Sequence, residues 1–398
     1  MTRGDQARAP DLPQRAAGAP QSSAGARPGA LVAAAAEPMP RMLLTRRQIV
    51  ASLLFVAFGV GFLYFVLPRL TGVGRTVQRI ERGDKWWIAV GVVLEAASFV
   101  GYVFLFRAVF TDDTGRIGWR ESYQITMAGL VATRLFAAAG AGGVALTAWA
   151  LRRAGMEARI VACRMVAFIV LLYVVYAGSL LLDGVGLGIG LFPGGGSFAI
   201  TFVPAIVAVV LFVVAGAVAL LPGDFERRLA GRAEQSGRLA HLVARAATAP
   251  ALAASGVRTA IDLVRTRDPG LLGALAWWGF DISVLWAMFH AFGSPPPFTV
   301  IWMAYFVGTL GNLLPLPGGL GGVEGGMIGA FAAFGVDVNL SVLAVLSYRG
   351  ISFWLPTLPG GVAYFQLRRT VARWREGQSG GLAASTPAAR AAGVAHGS

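Results

Sequence analysis

Glu324 and Arg349 pose the main chemical question in this chain, because each stands within strongly apolar sequence. A carboxylate and a guanidinium at membrane depth are expensive unless paired or wetted, so both are candidates for a polar site. The planar fork of an arginine makes bidentate, charge-assisted bonds to phosphate oxygens. A helix beginning after Gly322 would add free N–H groups and a positive dipole end, a natural anion cradle. The chemistry indicated is recognition of a phosphate-bearing head group by Arg349, flanked by Tyr348, with Glu324 as counter-ion or proton-linked switch. A structural Glu–Arg bridge that merely pins two helices is the competing reading.

The stretch that must position Glu324 runs from Asn312 through Pro315, Pro317, Gly318, Gly319, Gly321 and Gly322. Proline removes a backbone donor and glycine weakens a helix, so no helix continues through it. In hydrocarbon, each freed N–H or C=O costs several kcal/mol unless protein or water satisfies it. A break here therefore argues for burial in protein or a wet cavity, and Asn312, Pro317 and the four glycines join the candidate site. An extramembrane hairpin between two short helices is the alternative.

The rest of the chain supports membrane depth. Its 398 residues are 56% hydrophobic and 14% charged, with mean hydropathy +0.65, which describes an integral membrane protein. The net charge of +14 is carried almost wholly by arginine, Lys85 being the single lysine. Such a surplus reads first as basic cytoplasmic loops and then as attraction to anionic lipid. No nucleic-acid-binding motif accompanies it. Cys163 is alone, and His241, His290 and His396 are far apart, so neither a disulfide framework nor a metal or other cofactor site is visible.

Strongly apolar runs predict spans at Ile49–Leu67, Trp86–Phe110, Ile160–Leu182, Phe198–Leu221, Leu271–Phe292 and Leu340–Phe365. Two broken helix pairs, Trp119–Ala139 with Gly143–Ala154 and Phe298–Leu314 with Gly325–Phe334, bring the total to about eight membrane segments. The fold class expected is an all-α, polytopic membrane protein. Residues 1–40 and 376–398 read as disordered tails around a membrane domain at 41–375. Within it, a first half at about 84–222 and a second at 269–366 flank a basic linker at 223–268. That linker is either an amphipathic segment on the bilayer or a plain helical connection. The arginine distribution places both termini in the cytoplasm, although the basic 68–85 loop conflicts with this.

Sliding the chain on itself by 179 positions pairs Gly140, Gly142 and Gly143 with Gly319, Gly321 and Gly322, and Gly129 with Gly308. Each half then carries a broken pair followed by a span bearing an arginine, Arg164 in the first and Arg349 in the second. Counting spans makes the halves inverted, an arrangement typical of transporters whose substrate site lies at the breaks. Arg164 joins the candidate site on this ground, with snorkelling to the surface as its alternative. Glu95 and Asp281 lie inside spans, as helix pins or pathway residues.

Pro317-Gly318-Gly319-Leu320-Gly321-Gly322-Val323-Glu324, then Gly335, then Tyr348-Arg349 leading into Phe353-Trp354-Leu355-Pro356, resembles the C-terminal signature of the lysylphosphatidylglycerol synthase transmembrane family. The resemblance extends over about residues 45–370 and is specific over 305–361. It implies a flippase-like domain of a bacterial inner (plasma) membrane, with Pro317, Gly319, Gly321, Glu324 and Arg349 matching the motif. The first half departs from the family pattern: Phe136–Gly143 lacks the proline, and Ala145 stands where an acidic residue is expected. With only a short tail after Arg375, no aminoacyl-transferase domain is expected and lysyl transfer by this chain alone is not.

The function expected is binding or flipping of an anionic phospholipid or lipid-linked intermediate through a mid-membrane Glu324/Arg349 site, without enzyme activity of its own. Two alternatives stand beside it. One is a membrane subunit holding a polyprenyl-phosphate substrate for a partner glycosyltransferase or synthase; the other is a non-transporting scaffold.

Overall fold

The computed structural model describes residues 61, 82–111, 116–135, 141–221, 237–314 and 319–384. The predicted span at 49–67 apart from residue 61, the 68–81 part of the basic loop, the first break at 136–140, residues 1–40 and 385–398, Pro317 and Gly318 lie outside these. Among the described residues the chain is helical and contains no strand.

Helix α1 (Lys85–Phe110) opens at Asp84, whose side chain accepts the Trp86 N–H at 2.8 Å. Capping of this kind satisfies an otherwise orphaned first-turn donor. Two shorter helices follow, α2 (Trp119–Leu135) and α3 (Ala141–Arg153), then the long α4 (Ala158–Gly188) and α5 (Phe198–Ala219). Helix α6 (Gly237–Thr266) leads through a 3₁₀ turn at Pro269–Leu272 into α7 (Gly273–Phe292). The second short pair is α8 (Phe298–Thr309), extended by a 3₁₀ turn at Leu310–Leu313, and α9 (Gly322–Ala333). Helix α10 (Val338–Arg349), a π-helical turn (Gly350–Trp354) and α11 (Thr357–Ala384) complete the chain.

Among the described residues, five stretches are long and apolar enough to cross a membrane: Lys85–Phe110, Ala158–Gly188, Phe198–Ala219, Pro269–Phe292 and Val338–Trp374. These match the predicted spans within the described residues, with Ile160–Leu182 lengthened at both ends. The broken pairs also form as predicted, α2 with α3 and α8 with α9. Their close approach is a consequence of small residues: a Cβ on Gly143 would strike the Gly129 carbonyl, and one on Gly326 would meet the Gly308 backbone.

Helices α1 and α7 pack antiparallel at the centre. Near one end Trp87 stacks on His290 with ring centroids 4.3 Å apart, and in the middle Ser98 Oγ donates to the Trp277 carbonyl at 2.9 Å. One hydrophobic core gathers α7 to α10 around Met288, Phe306, Met327 and Phe331. A second gathers α1 to α4 with α11 around Phe110, Ile125, Leu151 and Leu367.

One expectation is corrected. Helix α11 runs on to Ala384, where the composition predicts a disordered tail from 376. Adding residues to an existing helix needs no new nucleus, so a polar, glycine-containing segment can follow one. As for the two readings of the linker, its described part from 237 onward is a helix packed on the protein. Ala254, Val257 and Ala260 are buried, and Arg258 donates to the Leu221 carbonyl at 2.7 Å.

Candidate functional site

Glu324 is the third residue of α9, and its position there follows from the glycine turn before it. Gly319 and Gly321 hold φ of +66° and +85°, the left-handed region that side-chain-bearing residues rarely adopt. A Cβ on Gly311 would collide with the backbone of Gly322, so the α8–α9 hairpin closes only because both are glycine. With the turn so fixed, Glu324 Oε2 accepts the Gly321 N–H at 2.7 Å. Its other oxygen, Oε1, accepts from Arg349 Nε at 2.6 Å. The carboxylate is fully buried, and the Arg349 side chain nearly so. The N-terminus of α9, expected to cradle a ligand anion, thus receives the protein's own carboxylate.

Arg349 ends α10, and the next residues form a π-helical turn. Pro356, just after the turn, has no N–H to give the carbonyl four residues earlier, that of Ser352. A residue from the other half of the chain fills the vacancy. Arg134, at the last turn of α2, donates to the Ser352 carbonyl at 2.8 Å and to the Phe353 carbonyl at 2.5 Å. The Phe353 ring has the Arg349 guanidinium 4.6 Å from its centroid and that of Arg134 at 5.0 Å. Cations over an aromatic face are attracted by its quadrupole, so one ring helps to hold both.

These groups border a cavity of about 340 Å³ at the meeting of both broken pairs. Leu130, Thr133 and Arg134 of α2 line it from the first pair; Thr309, Asn312, Gly319 and Val323 line it from the second. Tyr348, Arg349, Ser352 and Phe353 close one wall. Glu95 and Tyr102 of α1, with Trp277, Trp278 and Asp281 of α7, close another. Leu172 and Tyr173 of α4 and Tyr305 of α8 complete the lining. Asp281 Oδ2 accepts the Tyr348 hydroxyl at 2.9 Å and also the Tyr305 hydroxyl, so this buried carboxylate is well satisfied. The cavity has a cationic side at Arg134 and Arg349 and an acidic side at Glu95 and Asp281.

Of the predicted site residues, Arg349, Tyr348, Asn312 and Gly319 line the cavity. Glu324, Gly321 and Gly322 stand behind them and hold the hairpin and Arg349 in place. Pro317 and Gly318 lie outside the described residues. Arg164 is not brought to the site: its guanidinium donates to the Thr111 carbonyl at 3.3 Å on the exposed side of α4. The cavity-facing residues of that helix begin at Leu172, eight residues on, or about 12 Å along the axis. Arg134 is the residue that sequence reasoning missed. Its signal was available, an arginine just ahead of the Phe136–Gly140 break, but the repeat offset matches it to Leu313 and draws attention to Arg164 instead.

Comparison with known proteins supplies the family. A UPF0104 membrane protein of Methanothermobacter thermautotrophicus is 38% identical over 109 residues, covering 27% of this chain and 31% of the relative. A UPF0104 membrane protein of Pyrococcus horikoshii is 30% identical over 100 residues, covering 25% of this chain and 30% of the relative. The alignments therefore span less than a third of each relative's length, and both organisms are archaea. The bacterial inner membrane expected from the sequence is thus not shown, while an integral membrane protein is. The family model for the lysylphosphatidylglycerol synthase TM region matches residues 49–360, most of the chain, and this protein belongs to that family.

Proposed function

We propose that the chain binds the phosphate-bearing head group of an anionic lipid or lipid-linked intermediate in the cavity between the two broken helix pairs, and moves it across the bilayer. The observation that carries this reading is the convergence of residues from both broken pairs, with two guanidiniums, on one cavity. Its volume falls within the range of about 300–1,000 Å³ common to small-molecule sites. In this reading Arg349 and Arg134 attract the phosphate, while hydroxyl or amine donors of the head group face Glu95 and Asp281. Glu324 acts through Arg349, which it orients.

We read the halves as related by the 179-residue offset, and this supports alternating exposure of the site. Tyr102 and Asp281, Leu130 and Thr309, and Thr133 and Asn312 are each 179 positions apart, and both members of every pair line the cavity. Ser98 and Trp277, hydrogen-bonded at the α1–α7 contact, are separated by the same 179. Rocking of one broken pair against the other about that contact would open the cavity to each side in turn.

The test is reconstitution into liposomes with fluorescently labelled phosphatidylglycerol, following loss of signal to a membrane-impermeant quencher. Wild type and Arg164→Ala should move the lipid alike, and Arg349→Ala and Glu324→Gln should slow it at least tenfold. Equal rates for all four, or none above empty liposomes, would remove the transport reading.

A further inference from the structure

Glu95 borders two spaces at once. It lies near the middle of α1, 3% exposed, and it lines both the polar cavity and a separate groove of about 440 Å³. Every charged group of the groove's lining is accounted for by Glu95; the remaining walls are Val92, Phe99, Val103, Met127 and Leu355 with their apolar neighbours. Val92, Val100, Trp119 and Leu355 are exposed, so the groove opens on the flank of a membrane-crossing helix. On that flank the surrounding medium is hydrocarbon.

The wall between the two spaces has a second component. Ser352 and Phe353 of the π-helical turn face the polar cavity, whereas Leu355 and Pro356, next along the chain, face the groove. Arg134 clamps that turn by its carbonyls. Glu95 and this turn therefore stand between an arginine-lined chamber and an apolar one. Glu95 Oε2 is buried with no hydrogen-bond partner. The Glu95 side chain is otherwise hydrogen-bonded to Asp281, which leaves Oε2 as the oxygen able to accept from a further polar group.

We infer that the groove is a chain subsite, holding a hydrocarbon chain of the same amphiphile whose head group occupies the polar cavity, with Glu95 at the junction of the two. This rests on the head-group reading for the amphiphile's polar part, but the chain subsite itself is testable without it. Polar and apolar chambers meeting at one residue match the two ends of a lipid. The groove's exit along α1 leaves the rest of the chain in the bilayer, so the whole molecule need not enter the protein.

The experiment uses two probes in proteoliposomes of the full chain: phosphatidylglycerol with a diazirine in one acyl chain, and diacylglycerol carrying the same diazirine but no phosphate. Adducts are mapped by mass spectrometry. The expected result is labelling concentrated at Ala96, Phe99, Val100 and Leu355, at least fivefold above the exposed face of α5 at Val210 and Val213. Ala96→Leu, which narrows the groove modestly, should lower this labelling severalfold; Val93→Leu, on the same helix but outside the groove, should leave it unchanged. Thermal unfolding of each variant identifies any that fails to fold. Stronger labelling by the phosphate probe, lost in Arg349→Ala, supports both subsites. Equal labelling of the groove by both probes supports the chain subsite and counts against the head-group site. Labelling spread evenly over the lipid-facing helices, or unaffected by Ala96→Leu, overturns the chain subsite.

Discussion

The Arg134 guanidinium donates at 2.8 Å to the carbonyl of Ser352, the very carbonyl that Pro356 deprives of its helical donor. The two residues are 218 positions apart and belong to opposite halves of the chain. This bond ties the first broken pair to the turn that follows Arg349, on the wall of the cavity.

Removing that donor leaves a buried carbonyl unpaired. Arg134→Ala should cost about 1–3 kcal/mol, the desolvation penalty of one such group. Phe353 suffers less, since its carbonyl also accepts from Thr357 Oγ1 at 2.8 Å. Pro356→Ala returns an N–H to the segment, so the double variant should lose less stability than the two single losses together. Thermal or denaturant unfolding in a fixed detergent measures all four members of this cycle. Strict additivity would mean that Arg134 does not serve the Ser352 carbonyl.

The Glu324–Arg349 pair should behave as a buried ion pair. Breaking it from one side, by Glu324→Ala or Arg349→Ala, should cost about 3–5 kcal/mol because an uncompensated charge is left behind. Replacing both by apolar residues of similar volume should cost less than either single change. That double variant would retain the fold yet lose lipid movement, which separates stability from function in one protein. Unfolding curves together with the liposome assay provide both readouts.

Gly319→Ala should strain the turn ahead of α9. An L residue in the left-handed region costs roughly 1–2 kcal/mol. The new Cβ would also meet Asn312 Oδ1, whereas at Gly321, with φ of +85°, nothing lies within 4 Å. Gly321→Ala should therefore be the milder of the two, and Asn312→Ala should relieve Gly319→Ala in part. Melting temperatures of the three variants and the double give the order.

Asp281 depends on its tyrosines. Tyr348→Phe removes a hydroxyl that donates to the carboxylate at 2.9 Å, and Tyr305→Phe removes another. A hydrogen bond to a charged group contributes about 1.5–3 kcal/mol, and each change should cost within that range. Asp281→Asn should soften the loss in either background, because a neutral amide needs fewer donors. Unfolding measurements on the singles and doubles check this.

How much could be read from the sequence varies by residue. The span at Trp86–Phe110 and the turn at Gly319 were legible, because hydrophobic run length and glycine act locally. Tyr348 and Arg349 were legible for a related reason: a charge within an apolar run is costly wherever the chain goes. Arg134 was not, since nothing near it in sequence shows that Pro356 has left a carbonyl for it. Arg164 was chosen by repeat register, and register says nothing of the eight residues of helix separating it from the cavity-facing Leu172.

By itself, then, the sequence determined a bundle of membrane helices interrupted at two glycine-rich points, with an acid and a base held inside it. Each of those features depends on residues within a turn or two of one another. Only the tertiary structure decided that Glu324 turns to Arg349 and away from the cavity, that Arg134 reaches across to the π-helical turn, and that Glu95 stands between a polar and an apolar chamber. Such pairings are settled by how helices distant in the chain pack together, where a buried polar group takes whichever partner the packing brings within reach.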